Sequence, residues 1–125
     1  MAKVKRINVV FLYVLDLAKA RQFYEAAFDL GKPVVDAKWW VEYEVGDGSH
    51  LALHQVDATQ ATHAGLGAGS VKFSFEVEDI QVFTERLKSL GATFRFEPRK
   101  EYGFWLAEFE DVEGNFVRLF QKITK

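Results

Sequence analysis

The chain has 125 residues, 49% of them hydrophobic, which is enough to bury the core of one domain or of two small halves. A formal net charge of −2 argues against a nucleic-acid backbone as partner, and the absence of cysteine excludes disulfides and thiolate metal sites. No apolar run reaches the roughly 18 residues that a membrane span needs, so we expect no membrane partner. From the charge we expect no nucleic-acid partner, and the absence of cysteine is compatible with the cytoplasm, where we expect the protein.

The first half of the chain has the pattern of one strand, one helix and three further strands. Its apolar run at 7–14 predicts a buried strand; with the preceding MAKVKR it also resembles a secretory signal, although Asp16 interrupts that pattern. Asp16 is a good N-cap for a helix over 18–30, which closes at Gly31. The second strand is predicted at KPVVD, where the strand pattern is weak. The third and fourth strands are predicted at 39–45 and 51–55, and the turn GDGS joins them.

The same order of elements returns in the second half. A strand at 71–77 precedes Asp79, which caps a helix that stops at Gly91, and further strands are predicted at ATFRFEP, FWLAEFE and NFVRLFQ. A repeated unit this short cannot bury both faces of its own sheet, so we predict a single domain made of two βαβββ modules. Their approximate bounds are 5–57 and 70–123, with a glycine-rich linker at 58–69.

Two stretches, VLDLAKARQFYEAAFDLG and EDVEGNFVRLFQ, carry a resemblance to a known family. The first is similar to the strand, Asp, Phe-Tyr helix and Leu-Gly of the glyoxalase/bleomycin resistance protein/dioxygenase superfamily, also called vicinal oxygen chelate proteins. The second is similar to that family's Asp-Pro-Asp-Gly turn and final strand. The resemblance covers nearly the whole chain. It implies an α+β fold in which two βαβββ modules curl a mixed sheet around a cavity, with a small-molecule ligand and a homodimer.

Enzymes of this family hold a divalent metal with His, Gln or Glu at four equivalent strand positions. Counting from the helix caps and the turn glycines puts these positions at Val9, Ala52, Lys72 and Arg118. Valine and alanine have no donor atom, while lysine and arginine would repel a divalent cation. We therefore expect no metal and no cofactor, as in the metal-free bleomycin-resistance-like members of the family.

Strand alternation places Phe116, Arg118 and Phe120 on one face of the last strand and the residues between them on the other. In the family the first of these faces lines the cavity, so we expect Arg118 to point into a pocket; the alternative is that it reaches from a strand edge to water. The same parity extends to Val9, His50, Ala52 and Leu106. The ligand contacts that we predict from it are Phe11, Tyr13, Trp40, Glu42, His54, Lys72, Ser74, Glu76, Phe104, Glu108, Phe116 and Arg118.

Two neighbouring cations in a partly dry site require compensating carboxylates. We therefore predict a charge cluster of Lys72, Arg118 and Glu108, with Glu76 as a further member, at the place where relatives bind metal. The cluster either contacts the ligand or only replaces the ion as a structural strut.

These residues favour a metal-free protein that sequesters a planar aromatic or cationic compound, such as an antibiotic, by stacking and cation–π contacts. One alternative is a metal-independent lyase or isomerase acting on a carbonyl compound, with Glu108 or His54 as the catalytic residue. A second is a metalloenzyme that uses off-pattern ligands from His50, His54, Glu42 and Glu108. His50 and His54 lie about 13 Å apart on a strand and cannot share one ion directly. A third is a regulatory or structural dimer whose pocket has no ligand.

Overall fold

The computed structural model describes residues 3, 7–57, 73–101 and 103–123. The chain divides into two compact units, Met1–Ala64 (unit 1) and Gly65–Lys125 (unit 2). Within these described residues, each unit has one helix and one mixed four-stranded sheet, so the predicted α+β fold of two βαβββ modules is confirmed. The predicted linker at 58–69 and the site residue Lys72 lie outside the described residues.

Unit 1 has the strand order β1-β4-β3-β2, with β1 parallel to β4 and the other pairs antiparallel. Its elements are β1 (Val10–Val14), α1 (Leu17–Phe28), β2 (Val35–Asp36), β3 (Trp40–Val45) and β4 (Ser49–Gln55). The weak strand predicted at KPVVD is the two-residue edge strand β2.

Helix α1 begins where the sequence predicts, because the Asp16 side chain accepts a hydrogen bond from the backbone N–H of Lys19 at 3.1 Å. It ends at Phe28, earlier than the predicted residue 30, because Asp29 adopts the left-handed conformation with φ of 52°. Aspartate tolerates this conformation better than most residues, so it ends the helix before Gly31 is reached.

One side of the unit 1 sheet is buried under α1. Apolar residues of the helix and of the three longer strands form this core: Leu17, Ala20, Phe23, Tyr24, Ala27, Val14, Val41, Tyr43, Leu51 and Leu53. Within it, the hydroxyl of Tyr43 donates to Glu25, which also accepts from Arg21 at 3.1 Å. Burial raises the pKa of the Tyr43 hydroxyl above its ordinary value, and the hydrogen bond to Glu25 adds to the effect.

Unit 2 repeats the arrangement with the order β5-β8-β7-β6, and β5 is parallel to β8. Its elements are β5 (Ser74–Glu76), α2 (Ile80–Ser89), β6 (Thr93–Glu101), β7 (Phe104–Glu110) and β8 (Phe116–Lys122). The predicted cap is confirmed, since Asp79 accepts from the backbone N–H of Val82 at 3.2 Å. The core under α2 contains Ile80, Thr84, Leu87, Ala107, Phe109, Val117 and Leu119.

Strand β6 is longer than the sequence predicts. The prediction stops at Pro98, whereas the strand continues to Glu101. Proline is tolerated because β6 is an edge strand and because its register with β7 shifts between Phe96 and Arg99. A second register shift lies between Phe94 and Phe96.

Candidate functional site

Each sheet has a second face, opposite to its helix, which we call the helix-distal face. In β8, Val117 and Leu119 are fully buried on the helix side, whereas Phe116, Arg118 and Phe120 are partly exposed. The alternation predicted for this strand is therefore confirmed, and Arg118 lies on the helix-distal face of unit 2.

Glu108 is the centre of that face. It lies opposite Arg118 in the β7–β8 ladder, and its side chain is only 1% exposed. Nε of Arg118 donates to Oε1 at 2.8 Å, and Nη1 of Arg95 donates to Oε2 at 2.7 Å. We call these three residues the Glu108 clamp. Two charge-assisted hydrogen bonds offset the cost of burying the carboxylate, and the three side chains together carry a charge of +1.

Aromatic rings support the arginines of the clamp. The guanidinium carbon of Arg95 lies 4.9 Å from the ring centroid of Phe116, and that of Arg118 lies 6.0 Å from the ring of Phe96. Cation–π contacts of this kind restrict a guanidinium without using its N–H donors.

Arg95 was missed by the sequence reasoning. Phe94 pairs with the buried Phe109, but Phe96, only two residues later, pairs with Glu108 on the opposite face. The β6 register shift between them places Arg95 at an irregularity, where simple alternation no longer indicates the direction of a side chain. The run FRFE therefore carried no signal for this contact.

The predicted charge cluster is present in part. The Arg118–Glu108 contact exists as expected, and Ser74 lies beside Arg118 in the β5–β8 ladder. Glu76 was expected to join the cluster, but it lies opposite Phe120, and its Oε2 is 3.8 Å from Nζ of Lys122.

Further along the helix-distal face of unit 2, Phe104 and Leu106 lie on β7 and Phe120 lies on β8. The rings of Phe104 and Phe120 are 5.0 Å apart. Aromatic surface therefore continues beyond the clamp on this face.

The helix-distal face of unit 1 carries a group of four rings, which we call the ring cluster. Tyr13, His54 and Trp40 lie in one row across β1, β4 and β3. Phe11 contacts all three, with centroid distances of 5.6 Å to Tyr13, 5.1 Å to Trp40 and 6.1 Å to His54. Phe11 is 42% exposed, so part of this aromatic surface is open to a ligand.

Glu42 lies next to the ring cluster. One of its oxygens accepts from Nε1 of Trp40 at 2.9 Å, and the other lies 2.5 Å from Nδ1 of His50. The hydrogen bond from Trp40, followed by that to His50, lowers the pKa of the Glu42 carboxyl below its ordinary value. Glu42 pairs with Ala52 as Glu108 pairs with Arg118, so each unit has a carboxylate with two hydrogen-bonding partners at an equivalent position.

The positions expected to bind a metal do not fit one. Val9 and Ala52 have no donor atoms, the guanidinium of Arg118 is bound to Glu108, and Lys72 lies outside the described residues. Within residues 3, 7–57, 73–101 and 103–123, no three His, Asp or Glu side chains are grouped so that they could hold a metal ion. In the same residues, neither helix has the length and apolarity required to cross a membrane.

Comparison with known proteins identifies relatives along nearly the whole chain. The family model described as Glyoxalase/Bleomycin resistance protein/Dioxygenase superfamily matches residues 6–119. The chain is 30% identical over 126 residues to the uncharacterized protein YurT of Bacillus subtilis (strain 168), covering 94% of this chain and 99% of YurT.

Solved structures of similar fold include an antibiotic binding protein and a glyoxalase-related enzyme. TnmS3, an antibiotic binding protein from Streptomyces sp. CB03234, has a TM-score of 0.73 and 22% identity, covering 98% of this chain and 99% of TnmS3. A glyoxalase-related enzyme from Fulvimarina pelagi has a TM-score of 0.75 and 19% identity, covering 95% of this chain and 89% of that enzyme. At these identities the two structures show a common fold and nothing further.

Proposed function

Because the chain belongs to the Glyoxalase/Bleomycin resistance protein/Dioxygenase superfamily, we propose that it is a metal-free binding protein that sequesters a planar aromatic small molecule, such as an antibiotic. The observation that carries this proposal is the ring cluster of unit 1, in which Phe11 is 42% exposed beside Tyr13, Trp40 and His54. The antibiotic binding protein TnmS3, which has the same fold, supports the choice of ligand class.

The chemistry beside the ring cluster favours a planar compound with a positive charge on that face. The hydrogen bonds that Glu42 accepts from Trp40 and shares with His50 lower the pKa of its carboxyl below the ordinary value, which stabilises the negatively charged form. The bond from Nε1 of Trp40 also fixes the indole ring before a ligand arrives. Stacking against a fixed ring costs less side-chain entropy and adds about 0.5–1.5 kcal/mol for each aromatic pair.

The helix-distal face of each sheet supplies further contacts within this proposal. On unit 1 these are Phe11, Tyr13, Trp40, Glu42 and His54, and on unit 2 they are Ser74, Glu76, Phe104, Glu108, Phe116 and Arg118, with Lys72 added from the sequence. We also propose a homodimer that acts in the cytoplasm, as the family resemblance implies. Sedimentation equilibrium of the purified protein tests the dimer.

A metal-independent lyase or isomerase remains the alternative. A general base needs a free oxygen to receive a proton, and both oxygens of Glu108 already accept hydrogen bonds from guanidinium groups. This geometry supports a binding role over catalysis by Glu108. His54, which lies among aromatic rings, is then the remaining catalytic candidate. Turnover of a carbonyl compound that is lost in His54→Ala would favour the enzyme.

A thermal-shift screen with planar aromatic compounds tests the binding function, because a ligand that binds the native state raises the unfolding temperature. We expect stabilising compounds whose affinity falls about tenfold in Phe11→Ala, the equivalent of losing one aromatic contact. Trp39→Phe is the matched control: Trp39 is 52% exposed and lies next to Trp40 in sequence but outside the ring cluster. Its affinity should be unchanged.

The binding function is wrong if no planar compound stabilises the protein, or if Phe11→Ala binds as tightly as the unchanged chain. Elemental analysis of protein purified without chelators tests the metal-free part separately. Stoichiometric Zn, Ni, Fe or Mn would contradict it.

A further inference from the structure

We propose that the two arginines of the Glu108 clamp form a binding site for the carboxylate group of an aromatic acid on the helix-distal face of unit 2. This inference deepens the proposed function and rests on it in one respect: Glu108 and Arg118 are among the ligand contacts proposed above, and the inference names the chemical group that they bind. It holds whichever compound the ring cluster of unit 1 binds.

The first argument is the number of donors. A guanidinium group has five N–H donors, and each arginine of the clamp uses one of them on Glu108. In the described part of the chain, Glu108 is the only side chain that accepts a hydrogen bond from either arginine. The side chains of Arg95 and Arg118 are 52% and 37% exposed, so the remaining donors are accessible to a second anion.

The second argument is charge. A single buried carboxylate is neutralised by one guanidinium, so the second leaves an excess charge of +1 at the clamp. Two neighbouring ion pairs on the same face are each neutral and leave this charge unchanged: Arg99 with Glu101 at 3.0 Å, and Lys122 with Glu76 at 3.8 Å. Glu110 also lies on this face, opposite Phe116, and its carboxylate offsets part of the excess towards the β7–β8 turn, where it lies 3.7 Å from the place of a Cβ at Gly114.

The third argument is preorganisation. Both guanidinium groups are fixed by the same buried carboxylate. The guanidinium carbon of Arg95 also lies 4.9 Å from the ring centroid of Phe116. An incoming carboxylate therefore meets donors that lose little freedom on binding. The rings of Phe104 and Phe120, which lie on the same face, offer aromatic surface to the ring of the acid. Ser74, which is exposed and lies beside Arg118, places a hydroxyl on the same face.

The test uses a matched pair of probes, 2-naphthoate and the neutral 2-naphthamide, titrated into the full chain at low salt. NMR shifts of the arginine Nε–H groups locate the binding. We expect naphthoate to bind about tenfold more tightly than naphthamide, the usual value of one charge-assisted hydrogen bond. Equal affinities for the two probes would overturn the proposal.

Substitution of single arginines shows which of them bind the carboxylate. Arg118→Gln and Arg95→Gln should each reduce the preference for the acid to about twofold or less, whereas the control Arg99→Gln, an arginine of the same face that is paired with Glu101, should retain it. If Arg118→Gln does not fold, the half-exposed Arg95 provides the second variant. A folded Arg95→Gln that keeps the full preference would show that the arginines serve only to neutralise Glu108. Neutral planar compounds and Phe11→Ala test the ring cluster separately, so the two proposals can fail independently.

Discussion

Gln55 and Gln121 have the same role in the two units: the side-chain oxygen of each accepts a hydrogen bond from the first backbone N–H of its unit's helix. The donors are Leu17, at 3.0 Å, and Ile80, at 2.7 Å. The first N–H groups of a helix have no partner within it, so each glutamine joins the last strand of its unit to the start of the helix. The internal repeat seen in the sequence thus extends to an individual hydrogen bond.

Replacement of either glutamine with alanine should lower the free energy of unfolding by about 1–2 kcal/mol, because a part-buried N–H loses its acceptor. Urea unfolding of Gln55→Ala and Gln121→Ala measures the loss. Gln55→Glu is the control: it keeps the acceptor and places a negative charge at a helix N-terminus, so it should match the unchanged chain. A loss in Gln55→Glu equal to that in Gln55→Ala would show that packing, not the hydrogen bond, matters.

The Glu108 clamp predicts strong coupling between Glu108 and Arg118. Removing one partner of a fully buried ion pair costs about 3–5 kcal/mol. We expect a smaller loss of about 2–3 kcal/mol for Arg118→Ala, since Arg118 is 37% exposed and Arg95 still holds the other oxygen. Chemical denaturation of Arg118→Ala, Glu108→Gln and the double variant should give a coupling energy of about 1–3 kcal/mol.

The control is the same double-variant measurement on an exposed ion pair of the same face, Lys122 and Glu76, with the substitutions Lys122→Ala and Glu76→Gln. Its coupling energy should be about 0–1 kcal/mol. Additive losses at Glu108 and Arg118 would contradict the clamp.

The lowered pKa of Glu42 predicts a stability difference that depends on pH. The folded state binds this proton less tightly than the unfolded state, so the contribution of Glu42 is complete above its ordinary pKa of 4.5 and is lost as the pH falls through the lower, folded value. The difference in unfolding free energy between the unchanged chain and Glu42→Gln should therefore shrink in acid. Nδ1 of His50 lies against the same carboxylate, so His50 should be replaced with Gln in a parallel series.

Thermal unfolding from about pH 7 to about pH 3 measures this dependence. Glu78→Gln, at an exposed position outside the Glu42 contacts, should differ from the unchanged chain by a nearly constant amount. A difference for Glu42→Gln that stays constant into acid would show that its hydrogen bonds do not favour the ionised form.

Sequence reasoning succeeded where the chain is regular. Alternation along β8 predicted the direction of Arg118, and the parallel reasoning for β7 brought Glu108 to the same face, so their contact followed from the register of two adjacent strands. The caps Asp16 and Asp79 were predicted for the same reason, since a capping side chain acts within its own turn.

It failed where local irregularity or distant partners decide the structure. The register shift in β6 turned Arg95 towards Glu108, and no periodic pattern reports such a shift. The bond between Tyr43 and Glu25 joins a strand to a helix, and the sequence contains no signal for that pairing. The prediction therefore contained the pair of Glu108 and Arg118 but lacked Arg95, which completes the Glu108 clamp.

Asp111 fixes the turn that aligns β7 with β8, and with it the register of the Glu108 clamp. Its Oδ1 accepts hydrogen bonds from the backbone N–H groups of Glu113, at 2.8 Å, and Asn115, at 2.9 Å. Asp111 is only 5% exposed, so water does not replace these bonds easily. Asp111→Ala leaves both N–H groups without this acceptor and should cost about 2–3 kcal/mol, whereas Asp111→Asn keeps an oxygen in place and should cost about half as much. Urea unfolding measures both values. Equal losses in the two variants would mean that the carboxylate charge, rather than the acceptor geometry, stabilises the turn.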